Sequence, residues 1–375
     1  MGATAVRLAK PLTVCTEITM IKQRIRNLYR SRLTHGFMQT TAPAGSRVLA
    51  RVADAYEYLN TDETEELRRN FSLAFPHLSE REVRELILKY RRSSFESEYE
   101  RKQLDMMPAA QLRDFCMKRV EIEGIEHFRA SVENPEPVVL FTPHYGSFSI
   151  GTMRAAMDIA PHKQFSIFYD SPEKNPTTYI YKGLVDRLDA GTKILYNDRT
   201  AILAGARALK KGGVLGIMPD VFEYNPGLMY VPFFGGLTVA MGGTAFFALK
   251  AKARLLPAYC WRRRPGHFVV RYDPPIELSA TGNLAEDIYH TTVRIFANLE
   301  AQFTAAPEHW IYWDRFANRM SYEFDVKLPR GDESWSEQFT KLRRAVATEQ
   351  STLGRFLSGF EENLHNDELL QTGTS

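Results

Sequence analysis

The chain has 375 residues, of which 44% are hydrophobic and 25% charged, and its formal net charge is +3. This length exceeds the roughly 100–200 residues of a usual domain, and the composition is that of a globular protein, which excludes wholesale disorder. The net charge is too small to indicate a nucleic-acid partner. The three cysteines, Cys15, Cys116 and Cys260, lie too far apart for a disulfide framework or a zinc site. We therefore expect a reducing, cytoplasmic compartment.

Residues 1–126 are predicted to form a helical region. Between 16 and 37, apolar residues recur at helical spacing with Lys and Arg between them, which predicts a short basic amphipathic helix. We interpret it as a packed helix with a solvated basic face. The alternative is peripheral docking to the inner membrane face or to an acidic carrier protein. A second helix is predicted over 79–99, where Ser79 and Glu82 have the spacing of a capping box.

Residues 127–315 are predicted to form an α/β core. Short apolar runs bounded by turn residues predict buried strands, and helical segments such as 199–211 lie between several of them. The predicted strands are 137–142, 164–169, 192–196, 213–218, 255–260 and 267–272. Strands that alternate with helices predict a mixed, mostly parallel sheet flanked by helices, with sites at the carboxyl ends of its strands.

Two further segments bear on membranes and on partners. The stretch 224–249 has no charged residue, but its prolines and glycine pairs divide it into strand, turn and buried helix, so we predict no membrane span. Residues 316–375 are predicted to form a helical extension, since apolar residues recur at helical intervals over 335–364. Capping of the core, self-association and partner binding are all compatible with that pattern.

The strongest local signal for chemistry is the segment 141–149. A buried strand ends at Pro143, His144 follows in the turn, and a helix is predicted over 150–157. A neutral imidazole at the carboxyl end of a strand can take a proton from a nucleophile. On the residues alone, a turn histidine that only bonds a backbone carbonyl is an equal alternative.

Six short blocks extend this signal over most of the chain. In order they are N-F-S-L-A-F-P-H-L-S at 70–79, V-E-I-E-G-I-E-H at 120–127, H-Y-G at 144–146, N-P at 175–176, G-G-V-L-G-I-M-P-D at 212–220 with V-P-F-F-G at 231–235, and P-E-H-W at 307–310. Together they resemble the motifs of the lipid A late acyltransferases, which are the lauroyl- and myristoyl-transferases of the lysophospholipid-acyltransferase superfamily. Six blocks in the same order are far more specific than any single block.

The resemblance implies an α/β fold of the lysophospholipid-acyltransferase type and acyl transfer from a CoA or carrier-protein thioester to an amine or hydroxyl. His144 would be the general base, with acyl-CoA or acyl carrier protein as co-substrate and with no metal or other cofactor. Arg199 aligns with a family arginine that would bind a phosphate of donor or acceptor. Asp220 aligns with the Pro-Asp aspartate, which would orient neighbouring groups. Its alternatives are a loop cap or an ion pair with Arg199.

The turn after His144 supplies the rest of the expected site. Backbone N–H groups at the helix start after Gly146 are candidates to bind the oxyanion that forms at the thioester carbon. Tyr145, Gly146 and Ser147 complete the predicted substrate-binding set with Arg199.

The chain departs from the family pattern at Ser149, where the family has Asp or Glu. A carboxylate there would hold the imidazole tautomer and stabilise the imidazolium, and serine adds no charge. We therefore expect either a non-catalytic homologue that binds lipid or carrier protein, or a catalytic set of His144, Ser149 and Asp220 that works on an easier acceptor such as an amine. A second departure is the absence of a visible anchor helix, which favours a small or carrier-bound acceptor. O-acylation of a glycolipid at the membrane face is the alternative.

Overall fold

The computed structural model describes residues 61–197, 200–221 and 228–321. The predicted basic helix at 16–37, Arg199 and the predicted helices of 335–364 lie outside these ranges. The described helices are α1 (Thr61–Ala74), α2 (Glu80–Met106), α3 (Ala109–Arg119), α4 (Ile125–Val132), α5 (Phe148–Ile159), α6 (Thr178–Leu188), α7 (Ala201–Lys210), α8 (Gly243–Ala251), α9 (Leu284–Ala305) and α10 (Phe316–Arg319). The strands are β1 (Val120–Glu123), β2 (Val138–Phe141), β3 (Phe165–Tyr169), β4 (Lys193–Tyr196), β5 (Val214–Ile217), β6 (Leu228–Phe233), β7 (Gly236–Met241), β8 (Arg254–Arg264), β9 (His267–Tyr272) and β10 (Met320–Ser321).

Seven of these strands form the central sheet, in the order β1-β9-β8-β2-β5-β3-β4. Only the β8–β9 pair is antiparallel within this sheet, and every other neighbouring pair is parallel. All four residues of β2 are buried, as expected for a central parallel strand that is covered by helices on both faces. The predicted mixed, mostly parallel α/β architecture is confirmed, and the six predicted strands correspond to β2, β3, β4, β5, β8 and β9.

The sheet begins earlier in the chain than the predicted core. Strand β1 lies inside the region 1–126 that the sequence predicts as helical, and it pairs in parallel with β9. Its sequence, V-E-I-E, alternates apolar and charged residues, with Val120 buried and Glu121 exposed. Such a short alternating edge strand gives a much weaker signal than a continuous apolar run, so the sequence pattern does not predict it.

The uncharged stretch forms a hairpin and a helix over its described part. Strands β6 and β7 pair antiparallel, and Phe234 and Gly235 at their turn both have positive φ, 45° and 71°. Two such residues fit the two-residue turn that matches the twist of a hairpin. Helix α8 then follows, so the predicted strand, turn and buried helix are confirmed over 228–249. None of the helices in the described ranges combines the length and apolar character needed to cross a membrane.

The N-terminal helices pack directly on the sheet domain. Ser79 and Glu82 form the predicted capping box at the start of α2. In α1, the Phe71 ring lies 4.9 Å from that of Trp313, and the Asn70 side-chain amide donates to the Trp313 carbonyl at 2.7 Å. Within the segment predicted as a helical extension from 316, the short helix α10 leads into β10, which pairs with β7. The two ends of the described chain therefore close over one shared core.

Candidate active site

The candidate site lies where two neighbouring parallel strands end. Phe141 of β2 and Ile217 of β5 are register partners, and the N–H of Thr142 donates to the Ile217 carbonyl at 3.1 Å. His144 and Asp220 each follow their strand's last residue by three positions. Because parallel strands end at the same edge of a sheet, the two side chains meet there.

Asp220 holds His144 through two hydrogen bonds. Its Oδ2 accepts from the His144 backbone N–H at 2.8 Å, and its Oδ1 lies 3.0 Å from His144 Nδ1. An ionised carboxylate only accepts hydrogen bonds, so the ring proton belongs on Nδ1. No residue in the described ranges bonds Nε2, which keeps its lone pair for a substrate proton. The arrangement has the chemistry of a carboxylate-oriented general base.

Two more side chains fix Asp220 in place. The Trp310 indole N–H donates to Oδ2 at 3.0 Å, and Arg319 donates to the Asp220 main-chain carbonyl at 2.9 Å. Asp220 is 5% exposed. Burial alone raises the pKa of its carboxyl, but the charge of His144 and the hydrogen bonds from His144 and Trp310 outweigh burial and hold that pKa below its usual range. Sequence reasoning gave no role to Trp310 or Arg319, although Trp310 closes the P-E-H-W block.

Aromatic rings restrict the His144 imidazole. Its ring lies 5.1 Å from Phe148 and 4.9 Å from Tyr312, and the Arg319 guanidinium sits 4.5 Å from the centre of the Tyr312 ring. The His144 side chain is 16% exposed. The imidazole is therefore held on its Asp220 side and on its flanks, with limited access to water.

Ser149 is not part of this arrangement. It lies in the first turn of α5, is buried, and its hydroxyl faces the Tyr181 hydroxyl at 3.4 Å rather than His144. The carboxylate that contacts the imidazole is that of Asp220, which follows the neighbouring strand β5. The alternative pairing of Asp220 with Arg199 falls on a residue outside the described ranges.

Tyr145, predicted to bind substrate, is fully buried. Its hydroxyl accepts from the Gln302 amide at 2.6 Å and lies 3.2 Å from the Ala306 carbonyl, to which it donates. Its ring stacks on Phe303 at 5.7 Å. These contacts place Tyr145 in the core behind the turn, where a substrate does not reach it.

The N–H groups of Gly146 and Ser147 are already used within the fold. Gly146 donates to the His309 carbonyl at 2.7 Å, and Ser147 donates to the Cys260 carbonyl at 3.0 Å. Gly146 has φ +53°, and a Cβ there would lie 2.5 Å from the Cys260 carbonyl oxygen, so this close approach requires glycine. Of the N–H groups at the helix start after Gly146, that of Ser147 is therefore occupied, while those of Phe148 and Ser149 have no intrahelical acceptor and remain candidates to bind an oxyanion.

An apolar cavity extends from this edge of the sheet beneath α5. Its volume is about 30 Å³, which is room for about two water molecules. Its walls include Thr142 and Met218, two positions before His144 and Asp220. The other lining residues come from α5 and from the sheet face below it: Leu140, Gly151, Thr152, Ala155, Phe165, Ile167, Phe168, Tyr169, Gly216, Ile217, Ala258, Tyr259, Cys260, Val270 and Tyr272. Small residues on both walls leave the space open.

No metal-binding cluster of three or more His, Cys, Asp or Glu side chains occurs in the part of the chain that the structure describes. The two cysteines in those ranges, Cys116 and Cys260, are free and buried. Burial raises the pKa of the Cys116 thiol to about 12 and that of Cys260 well above its usual value. Neither thiol has the character of a nucleophile.

Comparison with known proteins agrees with the geometry. The sequence model for bacterial lipid A biosynthesis acyltransferases matches residues 33–316. A curated relative, the lipid A biosynthesis lauroyltransferase of Escherichia coli (strain K12), is 27% identical over 209 residues, which cover 53% of this chain. The aligned part spans 61% of that relative's length. The family match covers most of the chain, and the chain belongs to the bacterial lipid A biosynthesis acyltransferase family.

Proposed function

We propose that this protein transfers an acyl group from a CoA or carrier-protein thioester to a hydroxyl or amine acceptor, with His144 as general base. The observation that carries the proposal is the pair of hydrogen bonds from His144 to Asp220. They orient the ring so that Nε2 is available at the carboxyl-end edge of the sheet. Family membership supports the same chemistry.

The residues divide the reaction as follows. His144 Nε2 takes the acceptor's proton as the acceptor oxygen or nitrogen attacks the thioester carbon. The N–H groups of Phe148 and Ser149, at the N-terminus of α5, stabilise the tetrahedral oxyanion. Asp220 stabilises the imidazolium. When the C–S bond breaks, the imidazolium returns the proton to the departing thiolate, and the acylated acceptor and free thiol leave.

For the acceptor, a hydroxyl of a glycolipid is the best candidate. The argument for an amine rested on a weakened base at Ser149, and the Asp220 contact removes that premise. The lauroyltransferase relative is named for lipid A biosynthesis, which supports a glycolipid acceptor. We place the reaction on the cytoplasmic side, with the segment 16–37 as the candidate peripheral membrane contact. The hydrogen-bonded pair of His144 and Asp220 argues against a non-catalytic binding role.

The experiment that tests this function combines donors with acceptors. Short-, medium- and long-chain acyl-CoA and acyl carrier protein are supplied with pooled glycolipids, simple alcohols or amines, and the products are identified by mass spectrometry. We expect an acylated glycolipid and release of free thiol. Product with amines alone would restore the amine acceptor, and thioester binding without product would favour the non-catalytic homologue.

A further inference from the structure

One face of α2 carries a line of polar side chains aimed at the active-site turn. Ser93, Glu96 and Glu100 lie at helical spacing, so they share this face. The Ser93 hydroxyl is 3.0 Å from His309 Nδ1, and the His309 carbonyl accepts from the N–H of Gly146. This first link ties α2 to the turn that carries His144.

The second link is a buried ion cluster. Arg262 of β8 contacts both Glu96 and Glu100, through its Nη1 and its Nε respectively. The Arg262 and Glu100 side chains are 10% and 9% exposed. Burial raises the pKa of Glu100 to about 8 against the lowering effect of the hydrogen bond from Ser147, and burial lowers the pKa of Arg262 to about 10. An ion pair at this short range opposes both shifts and favours the charged forms.

Glu100 also reaches the active-site turn directly. Its Oε2 accepts from the Ser147 hydroxyl at 2.8 Å, while its Oε1 is held by Arg262. Ser147 is the residue before the first residue of α5 and lies three positions after His144. Its N–H is bound by the Cys260 carbonyl from the same strand that carries Arg262. The turn is therefore held from β8 and from α2 at one residue.

Removing one partner of a buried charged cluster leaves the other charge uncompensated, whereas apolar residues can join two elements without that penalty. A cluster that only attached α2 to β8 would have no need of a hydrogen bond to Ser147. Glu96 also contacts Arg262, but the Ser147 hydroxyl donates to Glu100. The contact that distinguishes Glu100 is its hydrogen bond to the turn.

We propose that Glu100 is a positioning residue for the reaction: held by Arg262, it fixes Ser147 and so sets the place of the His144 imidazole and of the first N–H groups of α5. This inference rests on the proposed acyl transfer. Glu100 is thus a second carboxylate at this turn. Asp220 contacts the imidazole itself, whereas Glu100 contacts Ser147. Glu100 touches neither His144 nor the reacting atoms, so it acts through Ser147.

The test compares Glu100→Gln, Ser147→Ala and their double variant with the matched control Glu96→Gln. We expect kcat for thiol release to fall about 10–100-fold in each single variant with KM little changed, because small misplacements of a catalytic group have effects of this size. The double variant should fall no further than the more affected single variant, since both act on the same hydrogen bond, which Glu100→Gln deprives of its charge and Ser147→Ala removes. Glu96→Gln should stay within about twofold of wild type, because it leaves the Ser147 contact intact.

A readout independent of turnover separates this inference from the proposed function. The Nδ1 proton of His144, bonded to Asp220, is followed by NMR with labelled histidine and assigned by its loss in His144→Ala. We expect the signal to shift in Glu100→Gln and Ser147→Ala and to stay in place in Glu96→Gln. If wild type releases no thiol, the proposed function fails while this comparison still decides the positioning role. Equal effects of Glu96→Gln and Glu100→Gln on kcat or on the signal would overturn it.

Discussion

Asp220→Asn is expected to lower kcat for acyl transfer about 10⁴-fold, the loss seen when the aspartate of a Ser-His-Asp triad becomes an amide. The amide keeps the shape of the side chain but removes its charge, and its NH₂ group can present a donor where His144 Nδ1 needs an acceptor. The neutral imidazole would then carry its proton on Nε2, which could no longer accept the proton of the substrate. The imidazolium would also lose its stabilising carboxylate. The measurement is steady-state thiol release at saturating donor and acceptor.

Ser149→Ala is the matched comparison for that substitution. It removes a hydroxyl that bonds Tyr181 rather than His144 and keeps the Ser149 N–H. We expect kcat within about fivefold of wild type, since one weak hydrogen bond is lost. A loss in Ser149→Ala equal to that in Asp220→Asn would show that the Ser149 hydroxyl supports the imidazole as much as Asp220 does, and would contradict the special role of the Asp220 carboxylate.

Trp313→Ala is expected to lower the free energy of unfolding by about 3–5 kcal/mol, the usual cost of removing a large aromatic side chain from a core. Trp313 is fully buried, and its indole N–H donates to the Pro307 carbonyl at 2.6 Å. Its ring lies 4.9 Å from Phe71 of α1 and 5.5 Å from Phe234 of the β6–β7 hairpin. Urea unfolding of the full chain measures the change.

The large effect follows from the position of Trp313 between the first and last described elements. If α1 and residues 307–321 form one core with the sheet, they should unfold in a single transition. In Trp313→Ala the urea midpoint of that one transition should fall. Tyr179→Ala, which removes a ring that is 63% exposed, should change stability by less than about 0.5 kcal/mol. A separate early transition for α1 in the wild type would contradict the shared core.

The fold could be predicted from the sequence because its signals are local. Six strands are short apolar runs between turn residues, and burial on both faces of a parallel sheet produces that pattern. Strand β1 was missed because it alternates V-E-I-E and lies at the sheet edge, where one face is open to water. Within 228–249 the glycines correctly divided the stretch, since Gly235 lies in the hairpin turn and Gly242 directly precedes α8.

The site could be predicted only in part, because its central contact is not local. His144 and Asp220 were both chosen as candidates, but their contact depends on the register that aligns Phe141 with Ile217. Sequence spacing does not give the order of strands in a parallel sheet. The family pattern concerns a carboxylate at position 149, in the same turn as His144. The carboxylate that contacts the imidazole here is Asp220, which follows the neighbouring strand.

The sequence did not indicate which residues support Asp220 and Ser147. Trp310 and Arg319 contact Asp220 from about 90 and 99 positions further along the chain, and Glu100 contacts Ser147 from α2. The P-E-H-W block marked Trp310 as part of a motif but not its partner. Nothing in the spacing of α2 separates Glu100 from the other charged residues of that helix.

The most direct test of the role of His144 is acceptor-dependent thiol release in wild type, His144→Ala and His290→Ala. His290 is a matched control, since its side chain is 19% exposed against 16% for His144 and it also lies near a carboxylate, that of Glu286. We expect His144→Ala to lose about 10²–10⁴-fold in kcat, the usual contribution of a general base, while His290→Ala keeps wild-type turnover. Acceptor-dependent release that survives in His144→Ala would show that another group performs the base step and would contradict the proposed mechanism.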